Sequence, residues 1–132
     1  MLMIDGNGKP LSVFTLAANF AEVSSIETLV DTRLSKKVPK RLLYDKAADA
    51  DWLRESLAGR GIELICPHRR GRKKPPTQDG RALRRYARRY KVERTISWLF
   101  NFRRTVVRYE HHDYLFEGFV QLACLFTLLN GF

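Results

Sequence analysis

The chain has 132 residues, of which 45% are hydrophobic and 11% aromatic, enough for one small domain with a buried core. Its formal charge of +10 argues against a cationic partner and for a polyanionic one, with nucleic acid first and an anionic membrane second.

The cysteines and histidines indicate neither a disulfide framework nor a metal cluster. Cys66 and Cys124 lie far apart in apolar segments, which predicts buried free thiols in a reducing compartment. His111 and His112 are adjacent and cannot both face one helical site, which favours a solvated turn over a metal site. The N-terminus lacks a signal-peptide pattern, so we expect a cytoplasmic protein.

The first residues predict a β-hairpin followed by a helix. The turn-forming stretch Asp5–Gly8 (DGNG) separates the apolar residues Met1–Ile4 from a strand predicted over Leu11–Ala18. From Asn19 to about Leu34, apolar residues recur at helical intervals, which predicts an amphipathic helix.

A strand–helix–strand unit comes next. The predicted strand Arg41–Tyr44 is followed directly by an aspartate, and the predicted helix Ala50–Gly59 is introduced by acidic residues that suit the positive end of a helix dipole, Asp49 and Asp51. A further strand is predicted over Ile62–Cys66. Strands that alternate with helices predict parallel pairing and an α/β fold.

A basic loop and a long helix follow. Residues His68–Gly80 predict a flexible loop rich in Arg, Lys and Pro, and a long helix is predicted from Arg81 onward. On that helix Tyr86, Arg89 and Glu93 fall in one column, because offsets of three and four bring side chains together. A surface salt bridge between arginine and glutamate is the alternative to a functional role.

The remaining apolar residues predict a core. Tyr90 and Trp98 on the long helix are expected to pack in the core rather than to stack on bases. The last helix, from Asp113 to about Leu129, is mostly apolar but too short for a membrane span, so we expect a core helix.

The stretch Tyr86–Arg104, YARRYKVERTISWLFNFRR, resembles the signature of bacterial insertion-sequence transposases of the DDE class, and the text around it is similar to the insertion-sequence-five group. In that group the glutamate matching Glu93 is the last of three metal-binding acids. The segment LLYDKAADADWLRESLAGRGIELICP resembles the second-aspartate block, in which Asp45 and the lysine after it match. The chain departs from the family at Phe100, where a lysine is usual, and at Ala48, where a tyrosine is usual.

The resemblance implies a partial ribonuclease-H-like fold: strand hairpin, helix, strand, helix, strand and C-terminal helices, with the first central strand and its aspartate missing. Asp45 and Glu93 would bind Mg²⁺ or Mn²⁺, because such hard cations prefer oxygen ligands. Asp5 matches the hairpin turn rather than the first catalytic aspartate. We expect residues 1–132 to be the C-terminal part of a catalytic domain, from a truncated or second-reading-frame transposase that is inactive alone.

The same resemblance implies DNA at insertion-sequence ends as the partner, a nucleoid-associated bacterial location and no membrane. Arg89 would contact a phosphate near the scissile bond. The other predicted DNA-binding residues lie in the basic loop and the long helix: Tyr86, Arg69, Arg70, Arg72, Lys73, Lys74, Arg85 and Arg88. Such basic contacts neutralise phosphates and position DNA without reading its sequence.

Other functions stay open at this point. A non-enzymatic DNA-binding remnant would occupy element ends, or would associate with full-length transposase or an upstream-frame product as an inhibitor or partner. A general basic RNA-binding protein is a weaker alternative, since no RNA-binding motif is present.

Overall fold

The structure is a computed structural model that describes residues 1–17 and 21–130. The chain forms two compact units. We call Met1–Phe20, Thr28–Leu34 and Tyr90–Phe132 the hairpin unit, and Ala21–Glu27 and Ser35–Arg89 the loop unit.

Short strands and helices alternate along the chain. The strands in the described residues are β1 (Leu2–Ile4), β2 (Pro10–Val13), β3 (Arg41–Leu43) and β4 (Glu63–Ile65). The α-helices there are α1 (Ile26–Asp31), α2 (Asp51–Gly59), α3 (Gly80–Tyr86), α4 (Tyr90–Leu99), α5 (Arg103–Val106) and α6 (Asp113–Asn130).

The predicted hairpin is confirmed. β1 and β2 pair in antiparallel orientation, with Leu2 opposite Val13. Asp5 closes the turn, because its Oδ1 accepts hydrogen bonds from the backbone N–H of Asn7 at 2.8 Å and of Lys9 at 2.9 Å. β2 is shorter than expected, and the predicted end of that strand at residue 18 lies outside the described residues.

Helix α4 is held against the hairpin turn through main-chain oxygens. Thr95 Oγ1 donates to the carbonyl of Gly8 at 2.7 Å, Lys91 Nζ to that of Gly6 at 2.5 Å, and Arg94 Nη2 to that of Asn7 at 3.4 Å. Arg94 and Thr95 follow Lys91 by three and four residues, so the three side chains lie on one side of the helix. The turn therefore fixes the position of α4 within the hairpin unit.

Helix α6 is a core helix on one face only. Its Ala123 and Cys124 are buried with Leu99, and Phe102 packs against them. Large apolar residues elsewhere on α6 stay exposed: Tyr114, Leu115, Phe119, Leu122, Leu125, Phe126 and Leu129. The expectation of a core helix therefore holds for the face that carries Ala123 and Cys124. No helix within residues 1–17 and 21–130 is long and apolar enough to cross a membrane.

The loop unit contains the expected parallel pair. β3 and β4 pair in parallel, with Arg41 opposite Glu63 and Leu43 opposite Ile65. Helix α2 connects them and buries Leu53 and Leu57, while Ile62, Leu64, Ile65 and Cys66 are also buried. The strand–helix–strand prediction is confirmed with strands one or two residues shorter.

The cysteines are free and buried, as expected. Burial raises the pKa of the Cys124 thiol to about 11 and also raises the pKa of the Cys66 thiol above its ordinary value. Both thiols therefore stay protonated at neutral pH. His111 and His112 are exposed in the bend before α6, which agrees with a solvated turn.

The predicted helix from Asn19 to Leu34 is shorter than expected. A 3₁₀ turn covers Glu22–Ser25 and α1 ends at Asp31, while residues 19 and 20 lie outside the described residues. The Ser24 hydroxyl donates to the Ala21 carbonyl at 2.7 Å, which offers the backbone an alternative to a regular α-helix. The Leu34 N–H donates to Leu11 of β2 at 2.7 Å, so this residue pairs beside a strand instead of ending the helix.

The predicted long helix is divided. Between α3 and α4 lies a 3₁₀ turn over Ala87–Arg89, and the boundary of the two units follows it. Arginines four residues apart, such as Arg84 and Arg88, repel each other and weaken a regular helix. Tyr90 is 55% exposed, so the expectation that it packs in the core is wrong.

The four strands in the described residues form separate two-stranded sheets, β1–β2 and β3–β4. This arrangement of small sheets and helices is compatible with the expected α/β class. The ribonuclease-H-like topology and the missing central strand stay predictions.

We expect Gly8→Ala to lower the free energy of unfolding by about 1–3 kcal/mol, because a non-glycine residue is strained in the left-handed region. Gly8 has a φ of 97°, and an added Cβ would lie 3.2 Å from Thr95 Oγ1. The matched control is Gly6→Ala, whose Cβ would meet nothing within 4 Å. Urea denaturation measures both, and equal stabilities of the two variants would contradict the strained turn.

Candidate functional site

Asp45 stands where β3 ends, as the sequence predicts. Its Oδ1 accepts a hydrogen bond from the backbone N–H of Ala47 at 2.8 Å and so caps the 3₁₀ turn Lys46–Ala48. The side chain is 35% exposed. One carboxylate oxygen is therefore fixed by the backbone, and the other, Oδ2, faces a different neighbour.

That neighbour is Arg89, which the fold brings to Asp45 from far along the chain. Arg89 Nη2 lies 3.8 Å from Asp45 Oδ2. Arg89 Nη1 donates to the hydroxyl of Tyr86 at 3.3 Å, and its guanidinium carbon lies 5.9 Å from the centre of the tyrosine ring. Arg89, which Tyr86 contacts, thus meets Asp45 within the loop unit.

Tyr44 adds a neutral donor beside Asp45. Its hydroxyl donates to Glu22 Oε2 at 3.4 Å. Burial raises the pKa of Tyr44 well above its ordinary value, and the negative charges of Glu22 and Asp45 raise it further. The phenol therefore stays protonated next to these carboxylates. Glu22 was not predicted as a partner of Tyr44, because it lies in the segment that the sequence predicts as an amphipathic helix.

Glu93 lies on α4 in the hairpin unit and is exposed, whereas Asp45, Tyr86 and Arg89 belong to the loop unit. The 3₁₀ turn Ala87–Arg89 interrupts the helix that was predicted to carry Tyr86, Arg89 and Glu93, and their alignment in one column stays a prediction. Carboxylate oxygens suit Mg²⁺ or Mn²⁺ in their chemistry. Within residues 1–17 and 21–130, however, no group of three or more His, Cys, Asp or Glu is arranged to hold a metal ion.

The start of the basic loop is organised around Asp49, whose side chain is only 2% exposed. Its Oδ1 contacts Arg54 Nη2 at 3.1 Å, His68 Nδ1 at 2.9 Å and Arg72 Nη1 at 3.2 Å. Its Oδ2 accepts from the backbone N–H of Arg69 at 2.8 Å. His68 Nε2 accepts from the N–H of Thr77 at 3.2 Å, so His68 donates to Asp49 through Nδ1.

These donors determine the charge of Asp49. Burial by itself would raise the pKa of the carboxyl, but the hydrogen bonds from Arg69, His68 and Arg54 outweigh burial and lower the pKa to about 2. Asp49 is therefore ionised throughout the physiological pH range.

Other cations of the loop are also bonded internally. Asp51 contacts Arg72 Nη2 at 2.6 Å and Lys74 Nζ at 2.8 Å, and the hydrogen bonds from Lys74 and then Arg72 lower its pKa. The Arg69 side chain donates to the carbonyls of Lys46 at 3.1 Å and Ala47 at 2.5 Å. Arg69 therefore fastens the loop to the turn that follows Asp45.

The predicted DNA-binding cations thus fall into two sets. Arg69, Arg72 and Lys74 are engaged within the loop unit. Exposed cations that have no hydrogen-bond or ion-pair partner among the described residues form the other set: Arg70, Lys73, Arg85 and Arg88. The sequence missed Asp49, Asp51 and His68 as partners of the loop, because acids ahead of a helix are typical of dipole-favoured helix starts.

Comparison with known proteins identifies the family of the chain. Residues 1–128 match the family model described as the transposase DDE domain, and the chain belongs to that family. It is 31% identical, over 98% of its own length, to a Burkholderia cepacia protein named as a transposase for insertion sequence element IS402. The chain spans 61% of the length of that relative. No solved structure matches the chain.

The resemblance to insertion-sequence transposases of the DDE class is therefore confirmed. Membership of the insertion-sequence-five group and the lack of a first catalytic aspartate stay predictions, as do the roles of the individual residues.

We expect the stability contributed by Asp49 to depend on pH. Because its pKa is lowered from 3.8 to about 2, this contribution is fully present above pH 4 and is lost as the pH falls toward 2. Its size is about 2 kcal/mol, since one pKa unit corresponds to about 1.4 kcal/mol. Asp49→Asn should lack this part of the pH profile in urea denaturation.

The control for that experiment is Glu55→Gln, which removes an exposed carboxylate from α2 and should keep the wild-type profile. A wild-type profile in Asp49→Asn would show that the buried ion pairs do not stabilise the fold.

Proposed function

We propose that this chain contributes to metal-dependent DNA strand cleavage and strand transfer in the transposition of an insertion sequence. The family supports the reaction class, and the contact of Arg89 with Asp45 is the observation that carries the proposal for this chain. Two segments that resemble separate blocks of the transposase signature meet there.

Asp45 and Glu93 would be ligands of Mg²⁺ or Mn²⁺. The chemistry that these residues would gain from a bound divalent metal is activation of the attacking oxygen and stabilisation of the leaving oxygen in an in-line displacement. The protein's own part is to hold the carboxylates: the 3₁₀ turn fixes Asp45, and the hairpin turn fixes the helix that carries Glu93. Tyr44 stays a neutral donor beside Asp45, so it adds no negative charge there.

Arg89 would bind a phosphate beside the metal. At 3.8 Å its contact with Asp45 is an ion pair rather than a hydrogen bond, and the arginine is 37% exposed on its side chain. A guanidinium in this position can exchange a weak carboxylate contact for a bidentate phosphate contact. Tyr86 limits the directions in which the arginine points.

Two carboxylates are fewer than two metal ions require, so we propose that the 132-residue chain is inactive alone. Since the chain spans 61% of its relative, a further carboxylate would come from the rest of a transposase, as one polypeptide, a full-length partner or an upstream-frame product. A non-enzymatic DNA-binding protein that inhibits or assists transposase is the second candidate. The exposed cations without acidic partners in the described residues favour it.

We expect weak Mn²⁺ binding that depends on both proposed ligands, measured by isothermal titration calorimetry or electron paramagnetic resonance. Asp45→Asn and Glu93→Gln should each reduce Mn²⁺ affinity by about tenfold, the ratio that 1.4 kcal/mol represents. Asp79→Asn is the control, because Asp79 caps α3 and pairs with Arg81 and is not a proposed ligand. Equal Mn²⁺ affinity in all variants would exclude these residues as ligands.

We expect the chain to bind duplex DNA carrying insertion-sequence ends without cleaving it, and Glu93→Gln to bind as the wild type does. The measurements are electrophoretic mobility shift and a strand-transfer assay with Mg²⁺ or Mn²⁺. Robust strand transfer by the chain alone would contradict the inactive state. Preference for RNA over this DNA in competition would contradict the transposition role.

A further inference from the structure

We propose that Asp49 is a positioning residue for DNA binding: it orders the turn Arg69–Arg72 so that Arg70 and Lys73, rather than Arg72 and Lys74, contact phosphates. The inference rests on the proposed DNA binding and deepens it, because it assigns which cations of the basic loop meet DNA.

The turn Arg69–Arg72 has a defined geometry that Asp49 stabilises. The backbone N–H of Arg72 donates to the carbonyl of Arg69 at 3.2 Å, which closes a four-residue turn. Gly71, the third residue of this turn, has a φ of 82°, a conformation that favours glycine. Asp49 binds both ends of the turn, through the N–H of Arg69 and the guanidinium of Arg72. Arg70 lies between these anchored ends and is exposed.

Carboxylates already neutralise Arg72 and Lys74. Arg72 contacts both Asp49 and Asp51, and its side chain is only 13% exposed. Lys74 shares Asp51 at 2.8 Å. A cation already paired with a carboxylate gains little from a phosphate, since the existing pair must first break. Arg70 and Lys73 have no acidic partner among the described residues, so they are available to displace counterions from DNA.

The DNA affinity of Asp49→Asn distinguishes an effect of charge from an effect of positioning, because the two change the affinity in opposite directions. Asp49→Asn removes a negative charge, which alone would tighten DNA binding by a basic protein. We expect it instead to weaken binding of a fluorescein-labelled duplex by about tenfold in fluorescence anisotropy, a factor equal to 1.4 kcal/mol. Glu55→Gln also removes one negative charge, an exposed one on α2, and should bind as tightly as the wild type or more tightly.

A charge-neutral pair of variants covers the case in which Asp49→Asn fails to fold. An added Cβ at Gly71 meets nothing within 4 Å, so only the backbone conformation of the turn is affected. Gly71→Val should weaken DNA binding as Asp49→Asn does. Gly71→Asn should bind DNA nearly as tightly as the wild type, because asparagine tolerates the left-handed region. Circular dichroism confirms that these variants are folded.

Salt dependence separates the two sets of cations. Arg70→Gln and Lys73→Gln should each lower the slope of log affinity against log salt by about 0.9, as expected for one lost phosphate contact, at unchanged melting temperature. Arg72→Gln should lower the melting temperature, because it removes the contacts with Asp49 and Asp51.

The inference is overturned if Asp49→Asn or Gly71→Val binds like the wild type, or if the slope changes with Arg72 and not with Arg70 and Lys73. No binding by the wild-type chain to any duplex would instead overturn the proposed function, and this inference with it.

Discussion

The buried charge of Asp49 is the interaction on which the loop unit depends. A carboxylate removed from water must find donors, and Asp49 takes them from α2 and from the chain after β4. Because these donors are far apart in the sequence, the carboxylate joins the start of α2 to the exit from the sheet. Arg54 extends the same network to the carbonyl of Leu64 at 3.1 Å. In a chain with a net charge of +10, Asp49 thus lies where several cations converge.

The proposed ligands are both held by contacts to main-chain atoms. Asp45 caps the turn that follows it, and Arg69 binds the carbonyls of that same turn. The helix that carries Glu93 is held by Thr95 on the carbonyl of Gly8. Site residues that are held by hydrogen bonds to the backbone and by supporting neighbours keep their geometry better than residues without such support. The contacts that hold Asp45 thus lie within the loop unit, and those that hold the helix of Glu93 lie within the hairpin unit.

The sequence predicted the hairpin, the parallel pair and the last helix well, because turn chemistry and hydrophobic period are local signals. It also placed Asp45 at a strand end, because the predicted strand Arg41–Tyr44 stops directly before it. The division of the long helix was missed, since helical propensity does not reveal where a 3₁₀ turn such as Ala87–Arg89 interrupts it. The partners of Asp49 were missed because they come from segments far apart, which only the fold brings together. The exposed face of α6 was missed because an apolar helix does not state how much of it other elements cover.

The contact between α4 and the hairpin turn affects how freely the family sequence can vary. Lys91, Arg94 and Thr95 bind carbonyl oxygens, which every amino acid supplies. Gly6 has no side chain, and the exposed side chain of Asn7 takes no part in these contacts. We therefore expect related sequences to vary more at these two positions of the turn than at the facing positions of the helix. The turn contributes backbone atoms to the contact, whereas the helix contributes side chains.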